Sequence, residues 1–352
     1  MIAPFSIAGR KIGPGEPVYI IAEMSSNHNQ DYRQAVEIIH AAKDAGADAV
    51  KLQTFTPEVH TLDLKDERFC VEWGTPWDGK TLHELYKETY MPWDWQPKLK
   101  KVADEIGIAL FSAVVDPTGV AFLEKMGVPA YKIPSFEMVD LPLIETAART
   151  GKPLIISTGM ATLEEIGDAV GAARKAGARE VALLKCTSVY PAPPAEMNLR
   201  TIPDLAETFG VPAGISDHTL GITIPIAAVA IGACLIEKHF TLSRASRGPD
   251  SKFSTEPQEF RAMVNAVREA EQALGTVSYT ITEHEAANRA FRRSLFVVED
   301  MRKGQAVTRQ NVRSIRPGNG LPPKFLPQVL GMRVSRDVKR GEPLNWSLLE
   351  EK

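Results

Sequence analysis

Eight times along this chain a short apolar run closes on polar or charged residues, and most of the intervals between runs have helical periodicity. The runs occupy residues 18–24, 49–54, 108–113, 130–133, 154–157, 181–186, 213–216 and 234–239. Their length and bounding turns predict buried strands. Amphipathic helices are predicted over 31–45, 119–126, 143–150, 163–176 and 257–274. In the first of these Ala35, Ile38, Ile39 and Ala42 share one face. Two helices run into Met126-Gly127 and Ala176-Gly177, the glycine stop that a helix C-terminus favours. Strands that alternate with helices imply a parallel sheet covered by helices. Eight of them before about residue 285 match a (β/α)8 barrel. An open doubly wound sheet often has Gly-x-Gly-x-x-Gly after its first strand; this chain has Glu23-Met-Ser-Ser-Asn27.

At 352 residues the chain has room for a large domain and a small one. The texture changes near Phe291, where Asp300-Met-Arg-Lys-Gly-Gln305 is echoed by Asp337-Val-Lys-Arg-Gly-Glu342. We therefore expect a barrel over 1–280, a linker over 281–290 and a small domain of short strands over 291–352. Between the echoes, Ile315-Arg-Pro-Gly-Asn-Gly320 presents one arginine on a glycine-rich loop. A net charge of -3 gives no basic field for nucleic acid. Three cysteines, Cys70, Cys186 and Cys234, without Cys-x-x-Cys, suit a reducing compartment. The N-terminal residues do not read as a signal peptide, and the longest apolar run, 222–236, is too short for a bilayer. A soluble, cytoplasmic protein is expected.

Residues at the C-terminal ends of barrel strands converge on one face. Here those ends offer Glu23, then Lys51 and Gln53, then Lys132 with Ser135 and Glu137. Ser157 precedes Thr158-Gly159, and Thr187, Ser188 and Tyr190 follow the sixth strand. The last two strands offer Ser216 and His218, then Glu237 and His239. Alternation puts each of those pairs on one face, so two imidazoles and a carboxylate meet, enough for a divalent metal with open positions. Two inward lysines among hydroxyls suit a phosphate or a phosphate-plus-carboxylate ligand. Salt bridges to Glu23 or Glu237, or a Schiff-base lysine, are the other readings of Lys51 and Lys132. Residues 55–95 form an outsized connection carrying Trp73, Trp77, Trp93 and Trp95. We read it as a lid over the barrel mouth, with packing under the rim as the alternative.

The stretches at 21–30, 50–54, 131–137, 157–160, 186–191, 216–219 and 237–240 together resemble the sialic acid synthase family. Arg316-Pro-Gly-Asn-Gly320 resembles the loop of that family's C-terminal SAF (antifreeze-like) domain. Within the family, Glu-Met-Ser-Ser-Asn-His-Asn-Gln, Ser-Phe-Glu and Phe291-Arg-Arg-Ser-Leu295 are most similar to pseudaminic acid synthases. The resemblance implies condensation of phosphoenolpyruvate with the open-chain aldehyde of an N-acetylated amino sugar, giving a nine-carbon 2-keto acid and phosphate. It implies Mn²⁺ or Mg²⁺ on His218 and His239, and Glu23 as the group that manages water or its proton. It implies Lys51, Gln53, Lys132, Ser135, Ser157, Ser188 and Ser216 at phosphoenolpyruvate. It implies Asn27, Glu137, Tyr190, Glu237, Asp250 and Arg316 at the sugar, with Arg316 reaching across a domain-swapped homodimer. Legionaminate or N-acetylneuraminate synthesis are the neighbouring activities. A Schiff-base aldolase and a non-catalytic carbohydrate- or ice-binding protein are readings from other classes. The chain departs from the family at Ala113 and Pro134. Ala113 lacks a hydroxyl that would help grip phosphoenolpyruvate.

Overall fold

The eight apolar runs are eight parallel strands that close into a barrel in sequential order. They are β1 (Tyr19–Glu23), β2 (Ala49–Thr54), β3 (Ala109–Val114), β4 (Tyr131–Ile133), β5 (Leu154–Ser157), β6 (Val181–Cys186), β7 (Ala213–Asp217) and β8 (Leu235–His239). The computed structural model describes residues 2–72, 78–246 and 248–350. A short hairpin, Phe5–Ile7 with Arg10–Ile12, precedes the barrel.

The expected helices form as α1 (Tyr32–Asp44), α4 (Pro117–Met126), α5 (Leu141–Ala148), α6 (Leu163–Lys175) and α9 (Pro257–Leu274). The Asp31 carboxylate caps α1 by accepting from the Arg33 N–H, and Ala35, Ile38, Ile39 and Ala42 are its buried stripe. Among the described residues the barrel unit has four further helices of eight or more residues: α2 (Leu82–Thr89), α3 (Gln96–Ile106), α7 (Thr201–Phe209) and α8 (Thr223–Ala230). The sequence of α8, Thr-Ile-Pro-Ile-Ala-Ala-Val-Ala, has no polar face to mark its period. It hides instead in the long apolar run before β8 and packs against α9.

Alternation along β7 and β8 has two results. Ser216 and Glu237 are paired in register and turn inward. Asp217 and Lys238, the next pair, bond to each other instead at 2.6 Å, nearly sealed from water. Lys238 Nζ also donates to the Thr219 carbonyl, and Asp217 accepts from the Thr219 N–H. Gly214 lets β7 lie close to β8, since a Cβ there would stand 2.2 Å from the Leu235 carbonyl oxygen.

The chain divides into two compact units after Gly275, which ends α9. Residues 276–282 are exposed, and 281–290, expected as a linker, lie in the second unit with one helical turn at Glu283–Ala286. That unit has its own core, including Leu295, Val297, Val312, Val334 and Leu344. Its main ladder joins β9 (Ser294–Val297) to β10 (Val312–Ile315). The two echoed segments meet as Met301 pairs with Val338. Among the described residues no helix is long and apolar enough to cross a membrane.

Removing one partner of the buried Asp217–Lys238 pair strands the other charge. Lys238→Met is expected to cost about 3–5 kcal/mol. The double variant Lys238→Met/Asp217→Leu should recover most of it. Urea denaturation of the two variants checks this, and equal midpoints for both would contradict it.

Candidate active site

Parallel register assembles the site. Glu23 of β1 is paired with Lys51 of β2 on one side and with His239 of β8 on the other. Ala113 of β3 sits between Gln53 and Lys132, and Ser216 is flanked by Cys186 and Glu237. These side chains line a cavity of about 620 Å³ at the C-terminal ends of the strands.

Four buried charges make its floor. Lys51 Nζ lies 3.1 Å from Glu23 Oε2 and 2.8 Å from Glu237 Oε1. Lys132 Nζ lies 3.6 Å from Glu237 Oε1. All four residues are at most 4% exposed. Gln53 donates to Glu23 Oε1 at 2.9 Å, and Ser216 donates to Glu237 Oε1 at 3.0 Å. Burial raises the Glu23 pKa to about 7, with Lys51 opposing and Glu237 assisting. Burial acts on Glu237 the same way, but Lys132 and Lys51 outweigh it and hold this carboxyl well below its ordinary value. Burial lowers the Lys132 pKa, while the two carboxylates outweigh it for Lys51 and raise it. Two carboxylates pushed apart in this way can take different protonation roles at neutral pH.

A hydroxyl cradle follows the ends of β4, β5 and β6. Ser135 Oγ accepts from the Gly159 N–H at 3.1 Å. A Cβ on Gly159 would stand 2.2 Å from Ser188 Oγ and 2.8 Å from Ser135 Oγ, so glycine keeps this wall open. Ser157 Oγ is buried and finds no hydrogen-bond partner among the described residues. A buried polar atom without a partner marks a place where a ligand or water completes the set.

The two histidines face each other with ring centroids 5.3 Å apart. His218 Nδ1 is 3.0 Å from the Thr187 carbonyl oxygen, a contact that places a proton on Nδ1; burial opposes a second proton, but Cys186 and Thr187 outweigh it and raise this ring's pKa, so a cation at Nε2 would compete with that proton. His239 Nδ1 has no hydrogen-bond partner among the described residues, and burial lowers this ring's pKa well below its ordinary value. Two such imidazoles fit a divalent cation. Among the described residues no set of three His, Cys, Asp or Glu side chains has metal-holding geometry, so the remaining positions would fall to water or substrate. The Tyr190 ring lies against His218, 4.3 Å between centroids.

Of the expected residues, Glu23, Lys51, Gln53, Lys132, Ser135, Glu137, Ser157, Ser188, Tyr190, Ser216, His218, Glu237, His239 and Asp250 all line the cavity. Asn27 does not. It is fully buried, donating to the Phe240 carbonyl and to Ser254 Oγ and accepting from Ser251 Oγ. Short polar loops behind β1 and β8 need such a bond set, and the amide is consumed in it. Arg316 belongs to the second unit, just past β10.

The long connection has more than one role. Phe55, His60, Val71, Leu82, Leu85 and Tyr86 line the cavity as a lid would. Trp93 and Trp95 pack under the rim against Phe122 and Tyr32. Trp73 and Trp77 lie outside the described residues. Cys186, which is not among the expected site residues, also lines the cavity. Its Sγ is 3.8 Å from His218 Nδ1; burial raises the thiol's pKa, but the histidine outweighs that and brings it to about 6. Its place at the end of an inward-alternating strand was a usable signal.

Barrel, charged floor and hydroxyl cradle together make an enzyme-type cavity suited to an anionic small molecule at the C-terminal face of a (β/α)8 barrel. The chain belongs to the NeuB family, whose profile matches residues 38–279, and a SAF domain follows over 292–350. A pseudaminic acid synthase of Helicobacter pylori is 43% identical over 336 residues, spanning 95% of this chain and 98% of that protein. An N,N'-diacetyllegionaminic acid synthase of Legionella pneumophila is 36% identical over 343 residues, 96% of each. Among solved structures, a spore coat polysaccharide biosynthesis protein of Bacillus subtilis matches with TM-score 0.66 and 34% identity, covering 99% of this chain and 100% of its own. An N-acetylneuraminic acid synthetase of Leptospira borgpetersenii, solved with citrate, matches with TM-score 0.73 and 31% identity over 82% of this chain and 95% of its own.

Gly159→Ala is expected to raise the KM for the anionic substrate about tenfold or more while the fold persists. Steady-state kinetics beside a circular dichroism melt check this. If Glu23 acts in its ionised form, kcat/KM rises with pH through about 7. The Glu137 carboxyl is also pushed up to about 7 by burial, so the limb must survive Glu137→Gln. A profile without that limb in the parent protein would remove Glu23 from the proton step.

Proposed function

We propose that this protein is a pseudaminic acid synthase. It joins phosphoenolpyruvate to 2,4-diacetamido-2,4,6-trideoxy-L-altrose, producing a nine-carbon 2-keto acid and inorganic phosphate. The observation that carries the reading is the buried set Glu23, Lys51, Lys132 and Glu237 beside the hydroxyl cradle, in a chain 43% identical to pseudaminic acid synthases. An ice- or sugar-binding module has no use for this costly floor.

Lys51 and Lys132 meet the carboxylate and phosphate of phosphoenolpyruvate, with Ser135, Ser157 and Ser188 donating hydroxyl hydrogens and Ser216 beside them, its own hydrogen held by Glu237. The methylene carbon attacks the sugar aldehyde, forming the new C–C bond and leaving positive charge at C2. Water adds at C2 and gives up a proton, and the bond from C2 to the phosphate oxygen breaks. Glu23, poised to titrate near neutrality, takes that proton. The second water proton leaves the C2 oxygen as the ketone forms; of the two protons, one ends on the aldehyde oxygen, which becomes a hydroxyl, and the other departs on the phosphate. Glu237, kept ionised by two lysines, balances the floor as the phosphate dianion leaves. Mn²⁺ or Mg²⁺ on His218 and His239 would polarise the aldehyde oxygen when bound. Glu137, Tyr190 and Asp250 face the sugar hydroxyls. From the family resemblance we also infer a cytoplasmic, domain-swapped homodimer in which Arg316 of one subunit serves the other's sugar. Ala113 leaves one donor fewer between Gln53 and Lys132, without removing either lysine.

The test is phosphate release from phosphoenolpyruvate with Mn²⁺, comparing the altrose with the legionaminic precursor and with N-acetylmannosamine. The altrose should give the highest kcat/KM. Preference for another of the three would move the assignment within the family, and no release would sink it. His218→Ala and chelation should each abolish release, with Mn²⁺ restoring only the chelated parent. Arg316→Ala should raise the sugar KM and leave the phosphoenolpyruvate KM unchanged.

A further inference from the structure

The cavity has two chemically different halves. Strand ends supply the charged floor, whereas the segment between β2 and α3 supplies Phe55, His60, Val71, Leu82, Leu85 and Tyr86. Among the described residues that segment brings no charged side chain to the cavity. Phe55, Val71 and Leu85 are buried. His60 stacks on Tyr86 with centroids 4.3 Å apart and abuts Phe55 at 4.6 Å. Burial holds the His60 ring at about 4, so it is neutral in working conditions. The Thr89 hydroxyl, also at the wall, is committed to the Leu85 and Tyr86 carbonyls of its own helix.

This wall is braced from behind. Thr81 and Glu84 form a reciprocal capping box at the start of α2. At its other end Gln30 Nε2 donates to the Lys87 carbonyl at 2.9 Å. The Trp93 indole N–H donates to the Phe55 carbonyl at 3.1 Å. A surface held this firmly is preorganised to meet a substituent of matching polarity.

Phosphoenolpyruvate is spent on the floor and offers almost no apolar surface. The wall therefore meets the second substrate. Hydroxyl groups pressed against its Phe55, Val71, Leu82 and Leu85 side chains lose water without gaining partners. An N-acetyl group brings an N–H and a C=O along with its methyl, whereas a C6 methyl is wholly apolar. Resting on the reading above, we propose that Phe55, Val71, Leu82 and Leu85 determine specificity by selecting amino sugars with a methyl rather than a hydroxymethyl group at C6.

The experiment uses the full chain with Mn²⁺ and two matched pairs of sugars. One pair is the trideoxy altrose and its 6-hydroxy counterpart. The other is the corresponding 2,4-diacetamido sugar of the D-manno series, again with and without the C6 hydroxyl. Phosphate release gives kcat/KM for each. In whichever pair is accepted, the 6-deoxy member should win by about 100-fold, the penalty an apolar pocket imposes on an added hydroxyl. That result supports the wall even if the accepted series is not the altrose, which would overturn only the substrate assigned above. Equal use of both members, within about threefold, overturns the wall and leaves the synthase reading standing. No release from any of the four overturns both. Leu85→Asn should cut the preference about tenfold through the sugar KM, with the phosphoenolpyruvate KM unmoved, while Leu85→Met keeps it. A preference unmoved by Leu85→Asn counts against the proposal.

Discussion

Two lysines and two glutamates share the inside of the barrel, each almost wholly buried, and the rest of the structure is arranged around tolerating them. Taking an ion out of water costs several kcal/mol, returned only where opposite charges and hydrogen bonds are close. Here the return is geometric. Lys51 stands between Glu23 and Glu237, and Lys132 takes the far side of Glu237. Gln53 and Ser216 satisfy further carboxylate lone pairs. Parallel register fixes every one of these neighbours, because a shift of one residue in any strand would turn its charge toward the helices.

The balance is two against two, so the floor holds no spare positive charge. An arriving anion disturbs this balance, and the softer partner is the carboxyl already raised to about 7. Glu23 is thus the group whose proton occupancy answers to the ligand, while Glu237 stays ionised between its lysines. The distinction comes from the number of cations near each carboxylate, not from residue type.

Much of this was legible along the chain. Strand residues 49–54, 154–157 and 181–186 were placed to the residue, because apolar runs bounded by turns have sharp ends. Inward alternation identified Lys51, Lys132, Glu237 and both histidines. Other features were not legible. Asn27 sits in a polar motif that looks like a site, yet local bonding behind β1 consumes it. Helix α8 lacked a polar face, and the lid's division into an apolar wall and a packed rim depends on contacts distant in sequence.

The sequence by itself determined the barrel, the order of its strands and the kinds of group at their ends, since period and alternation are local properties. Tertiary structure alone decided which carboxylate would be pushed up and which down. It also set Cys186 beside His218 and closed Phe55, His60 and Tyr86 into one wall. Those outcomes depend on burial and on distances between strands or loops far apart in the chain, and such distances exist only once the barrel has closed.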